Sequence, residues 1–93
     1  MGHAHFVIER ELPGAGSFSD EQICGISEKS NQVLSDMGGD VQWDHGYVTG
    51  GKIFCIYVAP GEDRVREHAS RGGFPCSEVH SVARVIDPTT GGR

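Results

Sequence analysis

The pattern of apolar and polar positions first predicts a strand and then a helix. Residues 5–12 combine β-branched and aromatic side chains with alternating charges, which is typical of a strand. Ser19-Asp20-Glu21-Gln22 has the spacing of a capping box at a helix start. We expect the helix to end at Gly38-Gly39, because glycine commonly follows the last helical turn. The apolar positions in between recur at helical spacing: Ile23, Ile26, Val33, Leu34 and Met37.

The remaining pattern predicts a hairpin, a second helix and a last strand. Paired glycines at positions 50 and 51 are typical of a two-residue turn between strands 41–49 and 52–59. Residues 62–71 begin with acids and end with Arg71, as the helix dipole favours, and residues 78–86 form the last predicted strand. This order predicts an α+β, ferredoxin-like βαββαβ fold, with a four-stranded antiparallel sheet and two helices on one face.

The strands carry large apolar side chains on both of their faces, although the helices cover only one face of such a sheet. An exposed apolar face of this size is normally covered by a partner. The sequence therefore predicts a homodimer, in which two sheets pack together as a dimeric α/β barrel. We expect a single ferredoxin-like domain over residues 1–93, with flexible ends at residues 1–4 and 88–93.

Composition and charge narrow the functional classes. The chain has 93 residues with 8 Lys and Arg against 13 Asp and Glu, a net charge of −5, so no basic face is available for nucleic acid. No apolar run approaches the roughly 20 residues of a membrane span, and no secretory leader is recognisable. Cys24, Cys55 and Cys76 lack a CxxC spacing and fit reduced thiols. We expect a cytoplasmic protein without nucleic-acid or membrane partners.

The hairpin register determines which side chains share a face. A two-residue turn pairs Thr49 with Lys52. This pairing predicts that Trp43, His45 and Tyr47 share a face with Phe54, Ile56 and Val58, and that Asp44, Cys55 and Tyr57 lie on the other face. A three-residue turn with a bulge would change both sets. His45 is then either a pocket wall or a ligand, and Cys55 either a small apolar filler or part of a pocket.

Several side chains are candidate metal ligands. Glu9 on the first strand, His45 on the hairpin and His68 on the second helix offer carboxylate and imidazole donors suited to nickel, zinc or copper. Spacing does not establish that they converge, and Glu9 could instead pair with a base such as Arg84. The N-terminal segment Met1-Gly2-His3-Ala4-His5 could chelate Cu(II) or Ni(II) through amine, amide and imidazole nitrogens. It could equally be a flexible start or a cloning remnant.

Segments along nearly the whole chain resemble a bacterial family of small proteins of otherwise unknown function. Some members, notably from actinomycetes, are described as nickel-binding proteins. The segments are residues 6–16 (FVIERELPGAG), 43–48 (WDHGYV), 52–60 (KIFCIYVAP), 65–69 (VREHA) and 85–90 (VIDPTT). The resemblance implies a ferredoxin-like fold, a homodimeric barrel and a bound nickel ion. The family's motifs carry over onto Trp43, His45 and Tyr47, onto Cys55 and Tyr57, and onto Glu67, His68 and Ala69.

These observations together predict a nickel-binding, non-catalytic homodimer that buffers, sequesters or senses divalent metal. The sequence contains no nucleophile elbow, phosphate loop or His-Glu-x-x-His motif. The expected ligands are His45, then His68, with Glu9, His5 and His3. The main alternative is an enzyme or small-molecule binder that uses the cavity between the two sheets of the dimer. That cavity would be lined by aromatic side chains and one cysteine: Trp43, Tyr47, Phe54, Cys55 and Tyr57. A third possibility is an interaction module that needs only to dimerise.

Overall fold

A computed structural model of the chain describes residues 3–92 and confirms the predicted order of elements. The four strands form one antiparallel sheet in the order β2-β3-β1-β4, and the helices complete an α+β, ferredoxin-like arrangement. Neither helix is long and apolar enough to cross a membrane within this part of the chain. The elements are β1 (Ala4–Glu11), α1 (Asp20–Asp36), β2 (Gln42–Val48), β3 (Lys52–Ala59), α2 (Glu62–Gly72) and β4 (Glu78–Ser81).

Helix α1 begins at the predicted capping box. The Ser19 hydroxyl accepts a hydrogen bond from the Gln22 backbone nitrogen at 3.1 Å, and the Gln22 side-chain oxygen accepts one from the Ser19 nitrogen at 2.8 Å. At the other end, Gly38 and Gly39 take left-handed φ angles of 88° and 84°, which other residues adopt reluctantly. Local chemistry therefore determines both ends of α1, as the sequence predicts.

The β2–β3 hairpin has the expected two-residue turn, since the Thr49 backbone nitrogen donates to the Lys52 carbonyl at 2.9 Å. However, a β-bulge interrupts the register between Trp43 and His45. Trp43 pairs with Tyr57, whereas His45 pairs with Ile56 on the next position. The prediction that Trp43 shares a face with His45 is therefore wrong, because the inserted Asp44 reverses the alternation at that point.

Strand β4 is shorter than the predicted strand 78–86. It pairs with β1 only from Glu78 to Ser81, and the last ladder contact is the Val82 nitrogen donating to the His5 carbonyl at 2.9 Å. Since β1 begins at Ala4, a longer antiparallel β4 would extend past the start of its partner strand. The prediction of strand through Ile86 is corrected to Ser81 for this reason.

The sheet divides the molecule into a helix-covered face and an open face. Residues of β1 alternate between them: Phe6, Ile8 and Arg10 are buried, whereas Val7 and Glu9 are only half-buried. In α2, the three- and four-residue spacing of Val65, His68, Ala69 and Gly72 predicts a stripe that faces the sheet. The structure packs this stripe onto the covered face, where all four residues are buried. The core cluster on this face includes Ile8, Ile53, Cys55, Tyr57 and Val33.

Candidate metal-binding face

The strand register arranges polar side chains in rows across the open face. One row runs His45, Ile56, Val7 and His80, because His45 pairs with Ile56, Ile56 with Val7, and Val7 with His80. Cross-strand partners point to the same side of a sheet. Two imidazoles therefore flank a central apolar strip, one on each edge strand. His80 is a candidate ligand that sequence reasoning missed.

Glu9 lies in the next row and contacts His80. His80 Nε2 is 2.9 Å from Glu9 Oε1, and Lys52 donates from Nζ to Glu9 Oε2 at 3.1 Å. Hydrogen bonds from His80 and from Lys52 lower the pKa of Glu9, despite the opposing effect of desolvation. The carboxylate is thus held in its charged form, which is the form that binds cations. The basic partner considered for Glu9, Arg84, is replaced in the structure by Lys52 and His80.

His45 stands in a second polar group at the opposite edge. Its Nδ1 is 3.2 Å from Asp44 Oδ2, and its Nε2 is 3.2 Å from the Tyr47 hydroxyl. A shallow pocket of about 330 Å³ opens beside this group, and His5 also lines it. The bulge places Asp44 beside His45, so the prediction that Asp44 lies on the same face as Cys55 and Tyr57 is wrong. An imidazole, a carboxylate and a further imidazole therefore surround one small pocket.

The structure places His68 on the other side of the sheet. The residue is completely buried on the covered face, where its Nε2 lies 3.1 Å from the Ser30 hydroxyl. Desolvation, with the nearby positive charge of Arg10, lowers the pKa of His68 to about 4. The sheet separates His68 from Glu9 and His45. His3 is exposed ahead of β1, whereas Met1 and Gly2 of the predicted N-terminal chelate lie outside the described residues.

Two of the predicted ligands, Glu9 and His45, each pair with one donor that was not predicted, and neither pair is a complete site. Across residues 3–92, no group of three or more histidine, cysteine or acidic side chains is arranged to hold a metal ion. The open face instead carries two separate donor pairs, Glu9 with His80 and Asp44 with His45. Imidazole and carboxylate donors suit divalent first-row metals, but two donors leave most of a coordination shell unfilled.

Three of the predicted cavity-lining residues face α1 rather than the open face. Trp43, Cys55 and Tyr57 line a cleft of about 760 Å³ between α1 and the sheet, whereas Tyr47 lies on the open face and is 59% exposed. The bulge accounts for the position of Trp43. The spacing of helix and sheet, which local sequence does not encode, creates the cleft.

Residues 6–82 match the protein family described as "Nickel responsive protein SCO4226-like". Among solved structures, the chain is similar to the crystal structure of SCO4226 from Streptomyces coelicolor A3(2), with a TM-score of 0.76 and 21% identity. That match covers 89% of this chain and 100% of the other, and at this identity it shows the shared fold. The comparison with curated proteins gives no match. By its family match, this chain belongs to the SCO4226-like family of nickel responsive proteins.

Proposed function

We propose that this protein is a non-catalytic nickel-binding homodimer, which holds the ion between the open faces of two sheets and thereby buffers or senses it. One observation carries the proposal: two exposed imidazoles and a half-buried, charged carboxylate lie on an apolar sheet face in a chain whose family is described as nickel responsive. Nickel itself comes from the family description, since the same donors would also bind copper or zinc.

The incompleteness of each donor pair supports a site shared by two copies. A twofold interface brings the same surface of two chains together, so each donor pair meets a second pair. Four imidazole or carboxylate donors, with water, would satisfy the coordination of a divalent nickel ion. The proposed ligands are His45, His80 and Glu9, with His5 beside His45. His68 is left out because it is buried on the covered face.

The apolar character of the open face supports the homodimer. Val7, Phe54, Ile56 and Val58 form its centre and are only half-buried in one chain. Beyond β4, Val85 and Ile86 are 69% and 71% exposed. Contiguous apolar surface of this kind is typical of an interaction site. Packing two such faces together would exclude water from these side chains and bring the polar rims into contact.

Binding should depend on pH because each imidazole must be neutral to bind the ion. Histidine has an ordinary pKa of about 6.5, so affinity is expected to fall as the pH drops through that range. Glu9 remains charged in this interval, since its pKa lies below the ordinary value. A cytoplasmic location is part of the proposal and rests on the cysteines, which are free thiols in the structure.

Isothermal calorimetry with nickel chloride at pH 7.5 tests the proposal. We expect binding in the micromolar range or tighter, lost in His45→Ala/His80→Ala and retained in His3→Ala. Ser81→Ala, an exposed change next to His80, is the matched control and should bind like the parent. The absence of binding by the parent protein would refute the proposal. Loss of binding in His3→Ala alone would move the site to the N-terminal segment.

A further inference from the structure

The cleft between α1 and the sheet has the size of a ligand-binding site. Its volume is about 760 Å³, within the range of roughly 300–1,000 Å³ that is usual for small-molecule pockets. Ile23 and Ile26 on the inner stripe of α1 stay half-exposed because they border this space. The cleft lies on the face opposite His45 and Glu9, so it is separate from the proposed metal site.

The charge of the cleft is opposite to that of the whole protein. Among residues 3–92, Arg10 and Lys29 line it but no aspartate or glutamate does, although the chain carries 13 acidic residues and a net charge of −5. Both cations lie beside one aromatic ring: the Arg10 guanidinium carbon is 5.5 Å and Lys29 Nζ 5.8 Å from the Phe74 ring centroid. The positive charge is therefore concentrated at one end of the cleft.

Arg10 is buried without an acidic partner. Its side chain donates to the Tyr57 hydroxyl at 3.0 Å and to the Pro75 carbonyl, both of which are neutral groups. The ion pairs among residues 3–92 do not include it, and only 5% of the residue is exposed. Buried charges in proteins are normally paired with an opposite charge. A guanidinium held in this way is ready to bind an anion.

Another polar group of the cleft wall has no hydrogen-bond partner among the described residues. The indole nitrogen of Trp43 is buried and makes no hydrogen bond to the described residues. Buried N–H donors are nearly always satisfied in native proteins, so an unpaired one in this wall is unusual, although the nitrogen itself is not open to the cleft. The bulge at Asp44 directs this side chain to the covered face, since Trp43 pairs with Tyr57.

We propose that this cleft binds a small organic monocarboxylate with an apolar body. The carboxylate lies beside Arg10, close to Phe74 and Lys29, because charge-assisted hydrogen bonds to a buried guanidinium are among the strongest that a protein offers. The body of the ligand packs against the apolar wall formed by Ile26, Ile53 and Phe18. Neutral molecules of the same shape bind less tightly, since they leave the charge of Arg10 uncompensated.

Titration of the full chain with sodium decanoate, and in parallel with decanol, tests this proposal. Trp43 is the only tryptophan of the chain and lines the cleft, so its fluorescence reports occupancy directly. We expect a saturable change in emission with decanoate, and binding of decanol weaker by about tenfold or more, as loss of a hydrogen bond to a charged group implies. Equal affinity for the two compounds, or no saturable change, would overturn the proposal.

Variants then locate the anion. Arg10→Met keeps an apolar side chain of similar length and should lose the preference for decanoate over decanol. Lys29→Glu should weaken the binding of decanoate but not that of decanol. Because Lys29 is exposed, this variant tests the same charge effect even if Arg10→Met fails to fold. Arg84→Glu reverses a charge at an exposed residue outside the cleft and is the matched control. An unchanged preference in both cleft variants, or an equal loss in the control, would contradict the assignment.

Discussion

The polar side chains on the two faces of the sheet lie in opposite environments. On the covered face, Arg10 and His68 are buried among apolar residues and contact neutral groups. On the open face, Glu9 and His80 contact each other at the water-accessible end of an apolar strip. The central strands β1 and β3 alternate between the two environments along their length. The comparison teaches that a histidine is a candidate metal ligand here only where it remains accessible, and the face of the sheet on which it lies decides its accessibility.

The largest expected difference between the faces is in the cost of truncating an apolar side chain. Ile8→Ala removes a completely buried side chain and should lower the free energy of unfolding by roughly 2–5 kcal/mol. Val7 is the neighbouring residue on the open face. In dilute protein, where that face is uncovered, Val7→Ala should lower the free energy of unfolding clearly less than Ile8→Ala. Urea denaturation of both variants measures the difference. Equal losses at low concentration would contradict a one-sided core.

A smaller change in the free energy of unfolding is expected from the titration of His68. His68 has a pKa of about 4 in the folded protein against about 6.5 when unfolded, so the unfolded chain binds the extra proton between these values. The free energy of unfolding should therefore be fully retained above pH 6.5 and fall towards pH 4, by on the order of 3 kcal/mol. Urea denaturation from pH 7 to pH 4.5 measures this slope.

His68→Phe is the control for that pH dependence. This variant lacks the titrating imidazole, so its free energy of unfolding should change less than that of the parent between pH 6.5 and pH 5. The acidic groups with lowered pKa values, such as Glu9, Asp40 and Glu67, lose their contributions only nearer pH 4. If the free energy of unfolding of His68→Phe fell as steeply as that of the parent between pH 6.5 and pH 5, His68 would not be the responsible group.

The smallest effect concerns the loosely packed part of the covered face. Gly25 lies inside α1 at the border of the cleft, and a Cβ added there meets no atom within 4 Å. Glycine inside a helix costs about 0.5–1 kcal/mol relative to alanine. Gly25→Ala should therefore raise the free energy of unfolding by about that amount in thermal or urea denaturation. A loss of stability would show that the helix packs more tightly onto the sheet than the structure describes.

Local chemistry made much of the fold predictable. The capping box at Ser19, the stripe of α2 and the exact extent of β3 follow from neighbouring residues, and the structure confirms them. The features that the sequence did not predict depend on pairing between distant strands. The bulge at Asp44 has no glycine or proline signal, and the early end of β4 depends on where β1 begins. Neither feature can be deduced from its own segment.

The candidate site was predictable only in part, for the same reason. The sequence identified His45 in the hairpin and Glu9 in the first strand as candidate donors, and both lie on the open face. His80 was missed because its contact with Glu9 depends on the register between β1 and β4, which are separated by most of the chain. His68 was included because its spacing places it on the inner stripe of α2, but spacing does not reveal which side of the sheet that stripe covers.

The most direct test of the central claim is anomalous scattering measured above and below the nickel absorption edge, on crystals grown with nickel chloride. The proposal predicts an ion between the open faces of two copies, coordinated by His45 or by His80 and Glu9 from both chains. An ion bound only by His3 at the N-terminal segment, or a solitary chain with no ion on the open face, would contradict it.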